Sequence, residues 1–196
     1  MIPTYIINRA DRPERLADIR EQLSLQQMNG HRFEAFIDKV GWRGCKDSHL
    51  ALLEKCKKEA CFLILEDDCL FVEDINPYLQ MANEQLPKNW DCLYLGGSPQ
   101  KPQVRYSDNL FVARGVITTH AIIWRTRFNG AVEWILSHRD YTDTMKWDDF
   151  LVEWIQSCFN CFLINPLIIT QRQSKSDISK RSDCSSIERN YTKYCK

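Results

Sequence analysis

Apolar and polar positions along the chain switch between a strand-like and a helix-like period, and the switching predicts strands and helices in turn. Tyr5-Ile6-Ile7 is a short apolar run between polar residues, the pattern of a buried first strand. Asp11 is placed to cap a following helix with Pro13 in its first turn, where Leu16, Ile19 and Leu23 recur at helical spacing. A second strand is expected over 31–37, a loop over 41–44, and a helix from Ser48 to Lys58 with Leu52, Leu53 and Cys56 on one face. Residues 61–65 (CFLIL) are continuously apolar, as strands buried on both faces are, and they run straight into Glu66-Asp67-Asp68.

Further along, the pattern predicts a helix over 75–86 and a strand over 91–95 stopped by Gly96-Gly97. A long polar loop is expected over 98–109, followed by strands at 110–113 and 117–124 and a helix at 128–137. Polar turns over 139–149 lead to an amphipathic helix at 150–159, and 161–170 forms one or two short strands broken by Pro166. Strands alternating with helices describe an α/β domain over 1–171 with a mostly parallel sheet, with 172–196 as a polar, basic tail. Ligands of such sheets bind beyond the carboxyl ends of the strands, which directs attention to the residues immediately after 65.

Composition narrows the function classes. The chain has 196 residues, of which 44% are hydrophobic, with only 7 Gly and 7 Pro, so one sizeable core is expected. Its 26 basic and 26 acidic side chains cancel, and this balance argues against nucleic-acid binding. No apolar run reaches the roughly 18–20 residues of a transmembrane segment, leaving peripheral membrane contact through the basic tail as the expected limit of any membrane role. The first residues lack the basic flank and long apolar stretch of a signal peptide. Nine cysteines cannot all pair, and most lie in or beside apolar segments, so they read as buried structural thiols of a reducing, cytoplasmic compartment.

Glu66-Asp67-Asp68 is the sharpest chemical feature. In extended geometry Glu66 and Asp68 point to one side and Asp67 to the other. Consecutive acids repel unless a positive charge lies beside them, and two oxygen donors on one side suit a hard divalent ion such as Mn²⁺ or Mg²⁺. A solvated acidic turn is the alternative, countered by the buried strand that leads into it.

At these residues the sequence resembles glycosyltransferase family 25, the family of lipooligosaccharide and collagen galactosyltransferases. The resemblance runs in order through YIINRADRPER at the start, GCKDSH at 44–49, LILEDD at 63–68, LGG at 95–97, THAIIW at 119–124, WDDF at 147–150 and INPLIITQRQSKSDI, which ends at 178. It implies a GT-A type nucleotide-diphosphosugar transferase fold, a Rossmann-like mixed sheet flanked by helices. The implied activity is metal-dependent, inverting transfer of galactose or glucose from a UDP-sugar to a hydroxyl of a glycan, glycolipid or protein. Glu66 and Asp68 would then hold the metal, with Asp67 in support. Asp148 or Asp149 would be the general base, one of them also capping the next helix, and Trp147 would stack on an acceptor sugar.

Donor contacts are expected from Asn8 at the end of the first strand, from Arg12 beside Arg9 and Arg15, and from Ser48 and His49 at the opening of a helix. Gly96 and Gly97 would let the chain pass close to the donor, Thr119 and His120 would lie near its sugar, and Gln171 and Ser174 would complete the diphosphate site. For the arginines and for His49, ordinary surface or core roles compete with these assignments. Two other function classes fit the same acids: a non-catalytic binding module on this fold, and a metal-dependent phosphohydrolase. The second lacks a matching His/Asp constellation.

Overall fold

The computed structural model describes residues 2–172 and 185–196. In chain order it contains β1 (Thr4–Asn8), α1 (Pro13–Leu25), β2 (His31–Glu34), α2 (Gly41–Cys56), β3 (Cys61–Glu66), β4 (Cys69–Phe71) and α3 (Asn76–Gln85). Then come β5 (Cys92–Tyr94), β6 (Ser98–Pro99), β7 (Val104–Ser107), β8 (Leu110–Val112), β9 (Val116–Ile117), β10 (Ala121–Arg125) and α4 (Ala131–Ser137). A 3₁₀ turn (Arg139–Thr142) precedes α5 (Trp147–Phe150), which continues through a π-helical stretch (Leu151–Ile155) into α6 (Gln156–Cys158). The described chain ends with β11 (Cys161–Ile164), β12 (Ile169–Gln171) and α7 (Ser185–Tyr194).

Eight strands form one mixed sheet in the order β2-β1-β3-β10-β5-β11-β8-β7. β1 and β3 are parallel, whereas β10 lies antiparallel between β3 and β5. That insertion makes the centre of the sheet less parallel than the βαβα pattern suggests. An antiparallel neighbour begins where β3 ends, so the residues leading into β10 arrive beside Glu66.

Alternation along β3 explains its unbroken apolar run. Phe62 and Ile64 pack into one core with Leu52, Leu53, Trp124 and Phe150, while Leu63 and Leu65 pack into the other with Ile6, Ile19 and Leu23. Helix α2 closes the first core and α1 the second. α7 is amphipathic and buries Ile187 and Tyr191, and the Tyr191 hydroxyl donates to the Ile164 carbonyl. The far end of the expected tail is therefore packed on the body of the protein.

Several local expectations change. Residues 41–44 open α2 rather than forming a loop, so the helix is a full two turns longer at its start than the Ser48 boundary. Asp11 does not cap α1; both its carboxylate oxygens are held by Arg9, at 2.7 and 2.9 Å. The polar 98–109 segment contains β6 and β7. β2 stops at Glu34, and β10 starts only at Ala121 because Thr118 adopts φ = 67°, outside strand geometry. The eight described cysteines are unpaired, and Cys158 is exposed where an apolar setting is expected.

Candidate active site

Beyond the end of β3 the three acids go three ways. Glu66 is the last strand residue and Asp67-Asp68 form the turn into β4, so the extended alternation stops at Glu66. Asp67 turns toward β1 and α1, where Asn8 Nδ2 donates to it at 2.8 Å and Arg15 Nη1 at 3.2 Å. Asp68 turns toward β12, whose pairing with β4 sets Gln171 opposite Cys69 and brings its Nε2 to 3.3 and 3.4 Å from the two carboxylate oxygens.

Glu66 Oε1 accepts from Thr119 Oγ1 at 2.9 Å and pairs with His49 Nε2 at 3.2 Å. Both contacts fall on Oε1, and among the described residues Oε2 accepts no side-chain hydrogen bond. Burial alone raises this carboxyl, but hydrogen bonding and charge from His49, with His120 and Thr119, outweigh it and hold Glu66 below its ordinary range. Asp68 goes the other way. Burial first, then the charges of Glu66 and Asp67, push it up to about 7. Burial likewise raises Asp67 against the opposing pull of Asn8 and Arg15.

The lead-in to β10 supplies one contact after another. The Thr118 backbone lies beside the Asp148 carboxylate and opposes the rise of its pKa, the Thr119 hydroxyl donates to Glu66, and the His120 carbonyl accepts the Glu66 N–H at 2.8 Å. A β-branched residue at φ = 67° is strained, and here the strained backbone runs beside an acid. Thr118 carries no signal of this in the sequence, because its role depends on the antiparallel insertion.

Helix α2 forms the other wall. Lys46, 5% exposed, reaches Asp143 at 2.9 Å and tethers the 139–149 segment to the helix. One turn on, His49 stacks on Trp147 with ring centroids 5.6 Å apart. That contact sets Asp148 beside the acids: burial, then Glu66, push its carboxyl up to about 6, while Thr118 and His49 oppose the rise. Asp149 is exposed. Of the two candidate bases, only Asp148 is drawn into the cluster.

The cleft has a volume of about 310 Å³. Glu66, Asp67, Asp68 and Gln171 line one side, and Arg9, Arg12, Arg15 and Lys39 supply basic groups along it. The 35–38 segment after β2 completes it, with Phe36 and Ile37 54% and 66% exposed. That apolar wall is not legible in the sequence, where 31–37 has the pattern of a strand. The volume lies at the lower end of the roughly 300–1,000 Å³ typical of small-molecule pockets.

Several expected contacts are used internally instead. Asn8 is 2% exposed, and its amide serves Asp67, the Arg12 carbonyl and Arg32 Nε, so it positions Asp67 rather than facing a donor. Ser48 and His49 lie in the middle of α2, not at its opening, and Ser48 Oγ is held between the Gly44 carbonyl and the Phe36 N–H. Trp147 is buried against His49 and Phe150, which leaves no face for a sugar. At Gly96 a Cβ would lie 1.9 Å from the Ile169 carbonyl oxygen, and at Gly97 2.5 Å from Val116 Cγ1. The close approach is therefore to the protein's own chain. His120 is fully buried with Nε2 3.2 Å from the Ile169 carbonyl, and burial lowers its pKa. Ser174 lies outside the described residues.

A scan against protein-family models gives no match, and neither does a search of curated proteins, so the family 25 resemblance has no independent support. Solved structures do match. The chain superposes on a glycosyltransferase involved in the glycosylation of the major capsid of PBCV-1 with a TM-score of 0.58 at 10% identity, covering 96% of this chain and all of that one. A Bacillus anthracis protein assigned as a glucose-1-phosphate thymidylyltransferase, in complex with sucrose, overlaps with a TM-score of 0.45 at 12% identity over 97% of this chain and 75% of that one. The second overlap is too loose to carry an argument. The first establishes the fold: this chain has the GT-A-like mixed α/β architecture. Among the described residues no helix is long and apolar enough to cross a membrane.

Proposed function

We propose that the protein is a glycosyltransferase of the GT-A type that transfers a hexose from a UDP-sugar to a hydroxyl of a glycan, glycolipid or protein. One observation carries this proposal: a small cleft at the carboxyl end of the central strand joins an acidic turn to a basic, partly apolar wall. A nucleoside diphosphate is the kind of ligand that needs both, with acids to hold a metal and arginines to meet phosphate oxygens. Exposed Phe36 and Ile37 offer a surface for a base or sugar face. The PBCV-1 glycosyltransferase supports the fold side of this proposal. Galactose as the sugar, and family 25 as the lineage, rest on the sequence motifs.

Asp68 and Glu66 are the residues that would hold Mn²⁺ or Mg²⁺. Their chemistry fits: among the described residues the Asp68 carboxylate oxygens meet only a long amide contact from Gln171, and its pKa is raised by burial first and then by the negative charges of Glu66 and Asp67. When bound, such an ion supplies Lewis-acid stabilisation to the departing diphosphate. Arg15, through Asp67, fixes the turn that presents these oxygens. Asp148 takes the proton of the acceptor hydroxyl as the new bond to the anomeric carbon forms and the sugar–phosphate bond breaks, its electron pair leaving with the diphosphate. A base with a pKa of about 6 is suited to this work near neutral pH.

A thermal-shift and hydrolysis panel of sugar nucleotides, with and without Mn²⁺, tests the proposal. A UDP-hexose with Mn²⁺ should raise the melting temperature, since ligand at 100 times Kd stabilises by about 2.7 kcal/mol. Absence of both stabilisation and turnover across the whole panel would overturn it.

A further inference from the structure

Cys45, His49 and Glu66 each bring a ligand atom to one point beside the cleft, and these atoms all lie within 4.8 Å of one another. Cys45 and His49 are four residues apart on α2, hence on one face of the helix. Glu66 meets them from the end of β3, with Oε1 already 3.2 Å from His49 Nε2. His49 is fully buried, and its Nδ1 has no hydrogen-bond partner among the described residues. All three residues line the cleft, and Cys45 and Glu66 are partly exposed.

We propose that Cys45, His49 and Glu66 form a site for a thiophilic divalent cation of the Zn²⁺ kind. The ligand set decides the ion. Sulfur and imidazole favour Zn²⁺ and Co²⁺, whereas Mg²⁺ and Mn²⁺ prefer oxygen. Ligand atoms on one tetrahedral Zn²⁺ lie roughly 3.3–3.8 Å apart for bonds of about 2.0–2.3 Å, a contraction of about 1 Å that small side-chain rotations supply. Three protein ligands leave the fourth position facing the cleft, the arrangement of an open rather than a closed zinc site. On binding, the Cys45 thiol releases its proton to solvent and His49 binds as the neutral imidazole. Glu66 belongs both to this set and to the acidic turn, so an ion here and a hard ion at Asp68 compete for one carboxylate. The proposal does not rest on the glycosyltransferase assignment, because its ligands and its test involve no sugar nucleotide.

The test is titration of the metal-free protein with Co²⁺, read by absorption. A thiolate-to-cobalt charge-transfer band in the near ultraviolet is expected, saturating at one equivalent. Zn²⁺ should abolish it, whereas Mg²⁺, competing for Glu66 alone, should weaken it only in large excess and not at all in Asp68→Asn. Cys45→Ser should remove the band, and His49→Gln should weaken Co²⁺ binding at least tenfold, each variant being checked for native circular dichroism. Asp68→Asn should keep the band. No band in the wild-type protein, or a band of full strength in Cys45→Ser, overturns the proposal.

Discussion

Thr119 donates its hydroxyl to Glu66 Oε1 at 2.9 Å, joining two residues that lie 53 positions apart in the chain. The bond exists because β10 runs antiparallel to β3 and begins where β3 ends. Hydrogen bonds to charged groups contribute about 1.5–3 kcal/mol. Thr119→Val keeps the shape and removes the donor, so urea denaturation should show a loss within that range. Unchanged stability would mean that His49 alone orients Glu66.

Asp68 makes the metal-free protein sensitive to pH. Its folded pKa is about 7 against an ordinary 3.8, a raised value. A carboxyl raised on folding stabilises fully below the unfolded pKa, and the contribution is lost as pH climbs through the folded value. The melting temperature of the wild-type protein, relative to Asp68→Asn, should therefore fall between about pH 4 and pH 7. Saturating Mn²⁺ should flatten the difference. A difference between the two proteins that does not vary with pH would show that Asp68 ionises normally.

The two adjacent aspartates should behave differently. Asp148→Asn removes the half-buried acid and is expected to lower kcat by about 10²- to 10⁴-fold, the usual worth of a general base. Asp149→Asn alters an exposed side chain and should leave kcat within a few-fold of wild type. In the wild-type protein kcat should drop as pH falls below about 6, because Asp148 then carries a proton. Equal losses from both substitutions would remove Asp148 from its assigned role.

Gly96→Ala tests the packing role of the glycine pair. Its added methyl meets the Ile169 carbonyl oxygen at 1.9 Å and His120 Nε2 at 2.5 Å, so backbone must move. Overpacking of this kind costs about 1–3 kcal/mol or more. A drop in melting temperature without any sugar nucleotide present is the expected readout. An alanine variant as stable as wild type, but weaker in donor binding, would return Gly96 to the ligand site.

Local pattern carries the frame of this protein and the end of its central strand. β3 is buried on both faces, so its residues must be apolar throughout, and the first acids after it must mark the strand end. No tertiary information is needed for that. The same logic locates α1, α3 and the break at Pro166 within a residue or two. It fails at residues 41–44, where two glycines and a tryptophan look like a loop but form the first turn of a helix closed by packing.

The work of the acids is decided in three dimensions. Nothing in a strand's periodicity tells which neighbour lies beside it, so the sequence does not show that β10 is placed antiparallel or that its lead-in delivers Thr119 to Glu66. The choice between Asp148 and Asp149 depends on the stacking of Trp147 on His49, a contact between residues 98 apart in number. Apolar pattern depends only on each residue's own exchange of water for core, and is written locally. The charge state and direction of a buried acid depend on every donor and charge around it, and those come from elements that only the folded chain brings together.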